Sequence, residues 1–234
     1  IKEHGYSRHL YEFKDEYANM PVDVQKDEEK GLYYVQKEKK RLYFRKSTPA
    51  KKIQKYYRAL SMEQDRRSPH HYFNSVKEVT GKVFVDVGCA EGYSSLEIIE
   101  EAKHVYLFEQ DEQWLEAIRA TFEPWQDKVT IVQKYVSDHN SSREQTLDDF
   151  FNNQTDEHLF LKMDIEGAER HALAGCKNLF QNCQKLDFAI CTYHLRDDEE
   201  VISAFLNKHN CTYINQKGFF RHRIRSVVMR GSKK

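Results

Sequence analysis

The feature that most constrains the fold is a glycine-containing loop that directly follows a short apolar strand. Val83–Asp86 is apolar up to its final acid, and the glycines of the following loop are Gly88 and Gly92. A helical pattern begins at Ser94, so the loop leads from a buried strand into a helix N-terminus. Such a loop presents backbone N–H groups to a ligand with little side chain in the way. The sequence therefore predicts an α/β fold with a cofactor-binding loop after its first core strand.

The spacing of these glycines argues against a dinucleotide as the ligand. A dinucleotide fingerprint has three glycines in the pattern Gly-x-Gly-x-x-Gly, whereas the loop here reads Asp-x-Gly-x-x-x-Gly. Asp86 would also place a negative charge near a bound diphosphate. A cofactor with a cationic amino end, such as S-adenosylmethionine (SAM), fits this loop better.

A second acid, Glu109, follows the next predicted strand. It is the first charged residue after the apolar run Val105–Phe108, and it can accept hydrogen bonds from two ribose hydroxyls. Its distance from Asp86 along the chain suits one strand, helix, strand unit. Asp138, after the third strand, can accept a hydrogen bond from the adenine amino group. The predicted cofactor-binding residues are Asp86, Gly88, Cys89, Ala90, Glu91, Gly92, Tyr93, Ser94, Glu109, Gln110, Ser137, Asp138 and Asp164.

Three blocks of sequence together resemble the FkbM family of SAM-dependent methyltransferases. They are residues 86–94, Phe108 with Glu109, and residues 162–169, which read Lys-Met-Asp-Ile-Glu-Gly-Ala-Glu. The resemblance covers roughly residues 68–215, and the last block is its most specific part. It implies O-methylation of a hydroxyl group on a sugar or a related natural product, without identifying the sugar.

From about residue 80 onward, predicted strands and helices alternate, which indicates a parallel sheet covered on both faces. The predicted strands are 83–86, 105–109, 129–132, 159–163 and 186–193, and the predicted helices are 94–101, 112–122, 146–152, 168–180 and 198–208. The last part, 212–229 around Gly218, has no helical pattern and is typical of a hairpin. The predicted fold is therefore a Rossmann-like class I SAM methyltransferase fold, with a mostly parallel seven-stranded sheet and a C-terminal antiparallel hairpin.

Residues 1–75 predict a small N-terminal α+β appendage, and residues 76–234 the methyltransferase domain. A hairpin is expected at 32–44, followed by a helix with Thr48 as N-cap and Pro49 at its first position. Residues 37–58 contain ten Lys or Arg residues and one acid, Glu38. This basic strip suits a nucleotide-linked or lipid-linked glycan or an anionic membrane surface, although a solvated face is the simpler interpretation. Nucleic acid is not expected, because no regularly spaced aromatic platforms accompany the strip.

Length and composition agree with a globular enzyme. The chain of 234 residues is 39% hydrophobic and 32% charged, which is typical of soluble domains with a full core. No apolar run approaches the ~20 residues that span a bilayer, so a cytoplasmic location is expected. Five cysteines without a Cys-x-x-Cys pair argue against a disulfide framework and a zinc site. Because the chain begins at Ile1, we expect it to be part of a longer polypeptide.

The candidate catalytic residues follow the fourth and fifth predicted strands, whose carboxyl ends are where open α/β sheets bind ligands. They are Asp164, Glu166 and His194. A sugar hydroxyl needs help to lose its proton, and imidazole titrates near neutral pH, so we predict His194 as the general base. Asp164 and Glu166 would then orient the acceptor hydroxyl or the cofactor amine. The alternative is a divalent metal held by these three residues, which would itself acidify the hydroxyl; the primary prediction contains no metal.

Lys162 and Glu169 flank the candidate catalytic residues. Lys162 interrupts an apolar strand, and it is expected either to pair with an acid, for which Asp86, Glu91 and Asp164 are the candidates, or to lie near the strand end and point to solvent. Glu169 reads as a helix-start acid that interacts with the helix dipole.

The segment just upstream of the first core strand, residues 64–72, mixes polar and aromatic residues. It is expected either to fold over the cofactor as a lid or to act only as a linker. In the first case His70, His71 and Tyr72 would contact the acceptor. Two rival functions remain open at this stage, a catalytically silent SAM-binding module of a glycan-assembly protein and an NAD-dependent oxidoreductase.

Overall fold

The strands and helices are those of a computed structural model, which describes residues 11–152, 156–220 and 223–233. The strands are β1 (Val24–Asp27), β2 (Leu32–Lys37), β3 (Lys40–Tyr43), β4 (Val83–Val87), β5 (His104–Phe108), β6 (Val129–Val132), β7 (Tyr135–Val136), β8 (Glu144–Gln145), β9 (Leu159–Met163), β10 (Leu186–Cys191), β11 (Thr212–Phe220) and β12 (Arg223–Lys233). The α-helices are α1 (Lys14–Ala18), α2 (Ala50–Glu63), α3 (Tyr93–Ile98), α4 (Glu112–Phe122), α5 (Leu147–Phe150), α6 (Glu169–Ala174), α7 (Lys177–Asn182) and α8 (Asp198–Lys208). Short 3₁₀ helices lie at Val76–Val79 and Glu123–Trp125.

Seven strands form the central sheet in the order β11-β12-β10-β9-β4-β5-β6. The pairs from β10 to β6 are parallel, and β12 runs antiparallel to both β10 and β11. Parallel neighbours require long crossovers, which the helices between them supply. The predicted mostly parallel seven-stranded sheet with a C-terminal antiparallel hairpin is therefore confirmed, and β9 lies beside β4 as the fold prediction requires.

The two central strands are buried along their whole length, because helices cover both faces of the sheet. Every residue of β4 and β9 is buried. Phe84 and Phe160 belong to the hydrophobic cluster on one face, and Val85 and Leu161 to the cluster on the other. Strands buried on both faces have nearly continuous apolar sequences, which is why they were recognisable from the sequence.

The N-terminal residues pack onto this sheet through a shared hydrophobic cluster. Leu42 on β3, Phe44 just after β3 and Ile53 on α2 lie in the same cluster as Phe84. β1, β2 and β3 form an antiparallel three-stranded sheet, of which the sequence predicted only the β2–β3 hairpin. β1 was missed because none of its residues is fully buried, so its sequence carries no apolar alternation.

Two helix predictions need correction. The N-cap of α2 is Pro49, not Thr48, because Pro49 has the extended backbone angles φ −66° and ψ 148° and the helix starts at Ala50. The segment 168–180, predicted as one helix, forms two. α6 ends at Ala174 and α7 begins at Lys177, with Gly175 in the turn between them. A Cβ atom at Gly175 would lie 1.9 Å from the carbonyl oxygen of Ser137, so the backbone of the neighbouring loop occupies this space.

Two expectations from composition can be compared with the described residues. All five cysteines are free, and four of them are buried. Among the helices that the structure describes, none has both the length and the apolar character needed to cross a bilayer.

Candidate active site

A cavity of about 570 Å³ opens at the carboxyl ends of β4, β5 and β9. This is the position where open α/β sheets bind ligands, and the volume is in the range of small-molecule sites. The predicted site residues that line it are Asp86, Gly88, Cys89, Ala90, Glu91, Tyr93, Ser94, Glu109, Gln110, Asp164, Glu166 and Tyr72. The predicted residues that lie outside this lining are Gly92, Ser137, Asp138, His70, His71 and His194.

The glycine loop is shaped by two close approaches. Gly88 has a φ of +78°, and a Cβ atom there would lie 2.1 Å from the carbonyl oxygen of Asp164. Gly92 has a φ of +81°, and a Cβ atom there would lie 2.6 Å from Cε2 of Phe122. Glycine is therefore required at both positions for backbone conformation and for space. Gly92 serves helix packing beside the cavity, and Gly88 locks the loop after β4 onto the loop after β9.

A fully buried ion pair holds the base of the loop. Nζ of Lys162 lies 2.8 Å from Oδ1 of Asp86 and donates a 2.6 Å hydrogen bond to the carbonyl oxygen of Gly88. Asp86 and Lys162 are register partners on β4 and β9, and Ser95 donates a 2.6 Å bond to the second carboxylate oxygen. Burial alone would lower the pKa of Lys162, but the carboxylates of Asp86 and Asp164 raise it above its ordinary value. The acidic partner of Lys162 is thus Asp86, and the charge of Asp86 is compensated inside the protein.

Glu91 is a second buried carboxylate of the loop, and none of the cationic side chains that the structure describes lies at hydrogen-bond distance from it. It is 3% exposed, and its Oε2 accepts a 2.8 Å hydrogen bond from the hydroxyl of Tyr56 on α2. Burial raises the pKa of Glu91 to about 7. Helix α2 therefore closes one side of the cavity. The sequence did not indicate this contribution.

Glu109 connects the two loops that follow β4 and β5. One carboxylate oxygen accepts a 3.1 Å bond from the N–H of Ala90, and the other accepts a 2.8 Å bond from the N–H of Asp111. Carboxylate oxygens have further lone pairs, so both remain able to accept from a ligand in the cavity. Glu109 lines the cavity, and its role as the acceptor for ribose hydroxyls stays a prediction.

An aromatic and cationic wall continues the cavity beyond Glu109. The guanidinium of Arg45 lies 4.3 Å from the ring centre of Trp114 and 3.2 Å from Oδ2 of Asp111. Tyr56 stacks on Trp114 with ring centres 6.3 Å apart. These side chains were missed because the helical spacing of Trp114 suggests only a core position.

The segment upstream of β4 contributes Tyr72 to the cavity. Its hydroxyl donates a 2.7 Å hydrogen bond to Oδ2 of Asp164. His70 instead bonds the hydroxyl of Tyr11, and His71 lies 2.8 Å from Nη1 of Arg230. Both histidines are buried against other parts of the chain and fix the segment. Of the three residues predicted to contact the acceptor, only Tyr72 therefore lines the cavity.

The predicted adenine contacts also lie beside the cavity. Asp138 is 2.8 Å from Nδ1 of His139, and the side chain of Asp138 is 42% exposed. Ser137 is buried next to Gly175. The residues that line the cavity here come just before Ser137; they are Lys134, Tyr135 and Val136.

His194 lies just behind Asp164, within a cluster of carboxylates. Its Nε2 is 3.5 Å from Oδ1 of Asp164 and 3.6 Å from Oε2 of Glu166. Its Nδ1 is 2.9 Å from Oε1 of Glu169. Burial alone would lower the pKa of His194, but the carboxylates of Glu169, Asp164 and Glu166 together raise it above its ordinary value.

Glu169 is the residue of this cluster whose role the sequence did not indicate. It is the first residue of α6, its side chain is fully buried, and its Oε1 accepts a 2.9 Å bond from the N–H of Ile165. A helix-start acid that interacts only with the helix dipole would be exposed to solvent. The sequence did contain a signal for Glu169. The block 162–169 holds three acids within one loop and the start of a helix, so Glu169 could have been grouped with the other two.

The carboxylates around His194, together with its ring, are also the side chains that could ligate a metal ion. Ligand atoms of Asp164, Glu169 and His194 lie within 4.8 Å of one another, whereas the predicted set contained Glu166 in place of Glu169. The side chain of Glu166 is 92% exposed. Because Nδ1 of His194 is at hydrogen-bond distance from Glu169, the arrangement suits a proton between these groups and leaves Nε2 and Asp164 for a further cation.

The cavity as a whole is strongly acidic. Within the part of the chain that the structure describes, seven carboxylates line it, those of Glu63, Asp86, Glu91, Glu109, Asp111, Asp164 and Glu166. The cationic side chains of the same lining are those of Arg45, Lys134 and Lys162. This balance favours a cationic ligand over a diphosphate.

Comparison with known families gives a match in the second half of the chain. The family model described as the methyltransferase FkbM domain matches residues 130–214. No curated protein sequence matches the chain.

Solved structures with the same architecture extend this comparison. A methyltransferase FkbM of Methylobacillus flagellatus KT is 21% identical, with a TM-score of 0.50, and the match covers 64% of this chain and 43% of that one. This chain therefore spans less than half the length of that protein. A protein of Pyrococcus horikoshii described as a transferase is 10% identical, with a TM-score of 0.53, covering 87% of this chain and 71% of that one.

A third solved structure is the magnesium protoporphyrin IX methyltransferase of Synechocystis PCC 6803, determined with bound SAM. It is 12% identical, with a TM-score of 0.49, and the match covers 80% of this chain and 86% of that one. The predicted resemblance and the predicted cofactor, SAM, are confirmed at the level of the family match. The chain thus has the class I SAM-dependent methyltransferase fold and is similar, over residues 130–214, to the FkbM methyltransferases.

Proposed function

We propose that this protein is a SAM-dependent O-methyltransferase that methylates a hydroxyl group of a sugar or glycan. The observation that carries the proposal is the position of Asp164. This carboxylate lies at the end of β9 on the wall of an acidic cavity, with Tyr72 on one side and His194 on the other. The similarity to FkbM methyltransferases supports the same reaction class.

The residues that would hold the cofactor are those of the glycine loop and the end of β5. SAM supplies a methyl group that is already activated on a sulfonium centre. Glu109 would accept hydrogen bonds from the ribose hydroxyls, and Glu91 would pair with the ammonium group. Lys162 keeps the loop in place by binding Asp86 and the carbonyl of Gly88.

The residues that would meet the acceptor lie around Asp164. Tyr72 and Tyr193 line the cavity and offer aromatic surface to a sugar ring, and Glu63 and Gln64 offer hydrogen-bond acceptors for its hydroxyls. Asp164 and His194 would manage the proton of the reacting hydroxyl, with Glu166 at the exposed edge. These residues support a neutral hydroxylated acceptor at the reacting end.

The basic strip suggests where an anionic part of the acceptor would bind. Lys37 is engaged over the ring of Tyr93, and Lys40 donates to the carbonyl of Leu96. The exposed lysines of the strip include Lys46, Lys51, Lys52 and Lys55. A nucleotide-linked or lipid-linked glycan, or an anionic membrane surface, would contact these lysines.

The proposal is tested by binding and by turnover. Calorimetry with SAM and with NAD should show binding of SAM alone. A labelled methyl donor should then transfer its methyl group to members of a panel of nucleotide sugars and polysaccharides. Absence of SAM binding would refute the methyltransferase proposal. Tight SAM binding without consumption across the panel would favour a catalytically silent module.

A further inference from the structure

The buried carboxylate of Glu169 takes no part in the function proposed so far, although it faces the imidazole of His194. Both side chains are almost inaccessible, with 0% exposure for Glu169 and 8% for His194. A buried carboxylate is costly unless it is bonded to a cation or to N–H groups. Glu169 has the N–H of Ile165 on one side and Nδ1 of His194 on the other.

The two ring nitrogens of His194 lie near different carboxylates. Nδ1 lies 2.9 Å from Oε1 of Glu169, and Nε2 lies 3.5 Å from Oδ1 of Asp164. Asp164 lines the cavity, whereas His194 does not. Among the described residues, the buried atoms of this cluster without a well-aligned hydrogen-bond partner are Oδ1 of Asp164, both ring nitrogens of His194 and Oε2 of Glu169. A proton shared between Oδ1 of Asp164 and Nε2 of His194 would satisfy both atoms, and Nδ1 is close enough to Oε1 of Glu169 for a hydrogen bond.

We propose that Glu169 is a positioning residue, which holds His194 so that Nε2 receives, through Asp164, the proton that the acceptor hydroxyl loses. This inference rests on the proposed methyltransferase function. In this arrangement His194, which the sequence predicts as the general base, has two neighbours with distinct roles. Asp164 contacts the acceptor, His194 stores the proton, and Glu169 fixes the ring and its tautomer.

The proposed step balances in atoms and charge. The acceptor oxygen forms its bond to the methyl carbon while its O–H bond breaks, and the electron pair of the broken C–S bond stays on sulfur. The carboxylate of Asp164 takes up the proton at its accessible oxygen, and rotation of the carboxyl group about its Cβ–Cγ bond then delivers the proton to Nε2 of His194. The resulting imidazolium is stabilised by the carboxylate of Glu169 and returns its proton to water after product release.

Among the described residues, the charged groups facing His194 come from two elements. Asp164 and Glu166 belong to the loop after β9, and Glu169 belongs to α6. The phenol ring of Tyr193, on the same segment as His194, lies 4.1 Å from the imidazole ring between ring centres. The carboxylates raise the pKa of His194 against the effect of burial. Because Glu166 is exposed to solvent, its charge is screened more than that of Glu169.

Two cations lie on neighbouring elements but are engaged elsewhere. Arg170 on α6 binds Asp198 at 2.8 Å, and Arg225 on β12 donates to the carbonyl of Leu195. Asp198 in turn accepts a 2.6 Å bond from the N–H of Leu195. These bonds fix the loop that carries His194 without placing a cation against its ring.

The test compares Glu169→Gln, His194→Gln and the double variant with a matched control, Glu116→Gln, whose side chain is exposed on α4. Glutamine at position 169 keeps an oxygen for the N–H of Ile165. We expect Glu169→Gln to lower kcat by on the order of 10- to 100-fold, with KM and SAM affinity changed less than about threefold. The double variant should be no slower than His194→Gln alone. Additive losses would overturn the proposal, because Glu169 would then act independently of His194.

A second measurement does not depend on turnover. The pKa of His194, followed by NMR of its ring protons in the folded protein, should fall in Glu169→Gln and stay unchanged in Glu116→Gln. The pH–kcat profile of Glu169→Gln should show its rising limb displaced to lower pH. An unchanged imidazole pKa would refute the positioning role. Wild-type protein that binds SAM but transfers no methyl group would refute the proposed function instead.

The same experiment distinguishes a metal from a proton relay. Wild-type kcat should be insensitive to a chelator such as EDTA. Loss of activity with EDTA and recovery with Mg²⁺ would overturn the relay and identify Asp164, Glu169 and His194 as ligands. If Glu169→Gln fails to fold, Glu169→Asp supplies the pH profile and the double-variant comparison.

Discussion

The buried pair of Glu91 and Tyr56 gives the sharpest prediction, because the same substitution should stabilise the empty protein and weaken its cofactor site. Burial raises the pKa of Glu91 to about 7 from an ordinary value of 4.5. Between these two values the folded protein holds a proton that the unfolded chain has released. The free energy of unfolding should therefore fall as pH rises through this window.

The magnitude follows from the size of the displacement. At 1.36 kcal/mol for each pKa unit, moving from 4.5 to about 7 corresponds to about 3 kcal/mol of lost stability above pH 7. Glu91→Gln removes the charge and keeps an oxygen for the hydroxyl of Tyr56. The variant should thus be more stable than the wild type by about 3 kcal/mol at pH 8, and by less than about 1 kcal/mol at pH 5.

The assay is urea unfolding of the cofactor-free protein at pH 5 and pH 8, with Glu116→Gln as a control that should change stability little at either pH. SAM titrated into Glu91→Gln should bind more weakly than to the wild type by about 1.5 to 3 kcal/mol, because a charge-assisted bond is lost. A variant less stable than the wild type at pH 8 would refute the reasoning. It would mean that ionised Glu91 stabilises the fold.

Three further substitutions test other contacts of the site. Glu109→Ala should weaken SAM binding by about 1 to 3 kcal/mol, measured by calorimetry, because the ribose hydroxyls lose their acceptor; unchanged affinity would contradict the assigned position. Lys162→Met should lower the free energy of unfolding by about 3 to 5 kcal/mol in urea melts, since Asp86 would be left as an unpaired buried charge, and adding Asp86→Asn should recover part of the loss. Gly88→Ala should abolish SAM binding, because its Cβ would lie 2.1 Å from the backbone of Asp164; wild-type affinity in a folded variant would contradict the loop geometry.

The sheet was predictable from the sequence because its strands are buried on both faces. Apolar runs such as Val83–Val87 and Leu159–Met163 have few alternative structures in a chain with regularly spaced helices. The order of the central strands then followed from the fold class. β1 could not be recognised, because a half-exposed strand of four residues carries no apolar pattern.

The site was only partly predictable, because its decisive contacts join residues far apart in the chain. Tyr72 binds Asp164 across 92 positions, and Tyr56 binds Glu91 across 35. Sequence spacing within one loop locates Glu109 and Asp164 but not the side chains that other elements place against them. His194 follows Tyr193 in the segment after β10, and the centres of the two rings lie 4.1 Å apart. Tyr193 lines the cavity whereas His194 does not, a difference that adjacency in the sequence does not reveal.

Some buried carboxylates of the site are paired inside the protein, so the preference for a cationic cofactor depends on the carboxylates that remain. Asp86 was first assigned the role of repelling a diphosphate, but its charge is compensated by Lys162. Glu169 is likewise compensated when His194 is protonated. The carboxylates that line the cavity without an ion pair to Lys162 or Arg45 include those of Glu91, Glu109 and Asp164. A diphosphate would add negative charge to this set, and of the cations that line the cavity Lys162 and Arg45 are already paired, with Asp86 and Asp111. A ligand with an ammonium and a sulfonium group would instead lower the pKa of Glu91 on binding, so SAM affinity should increase as pH rises through about 7. Affinity independent of pH in this range would show that Glu91 does not contact the ammonium group.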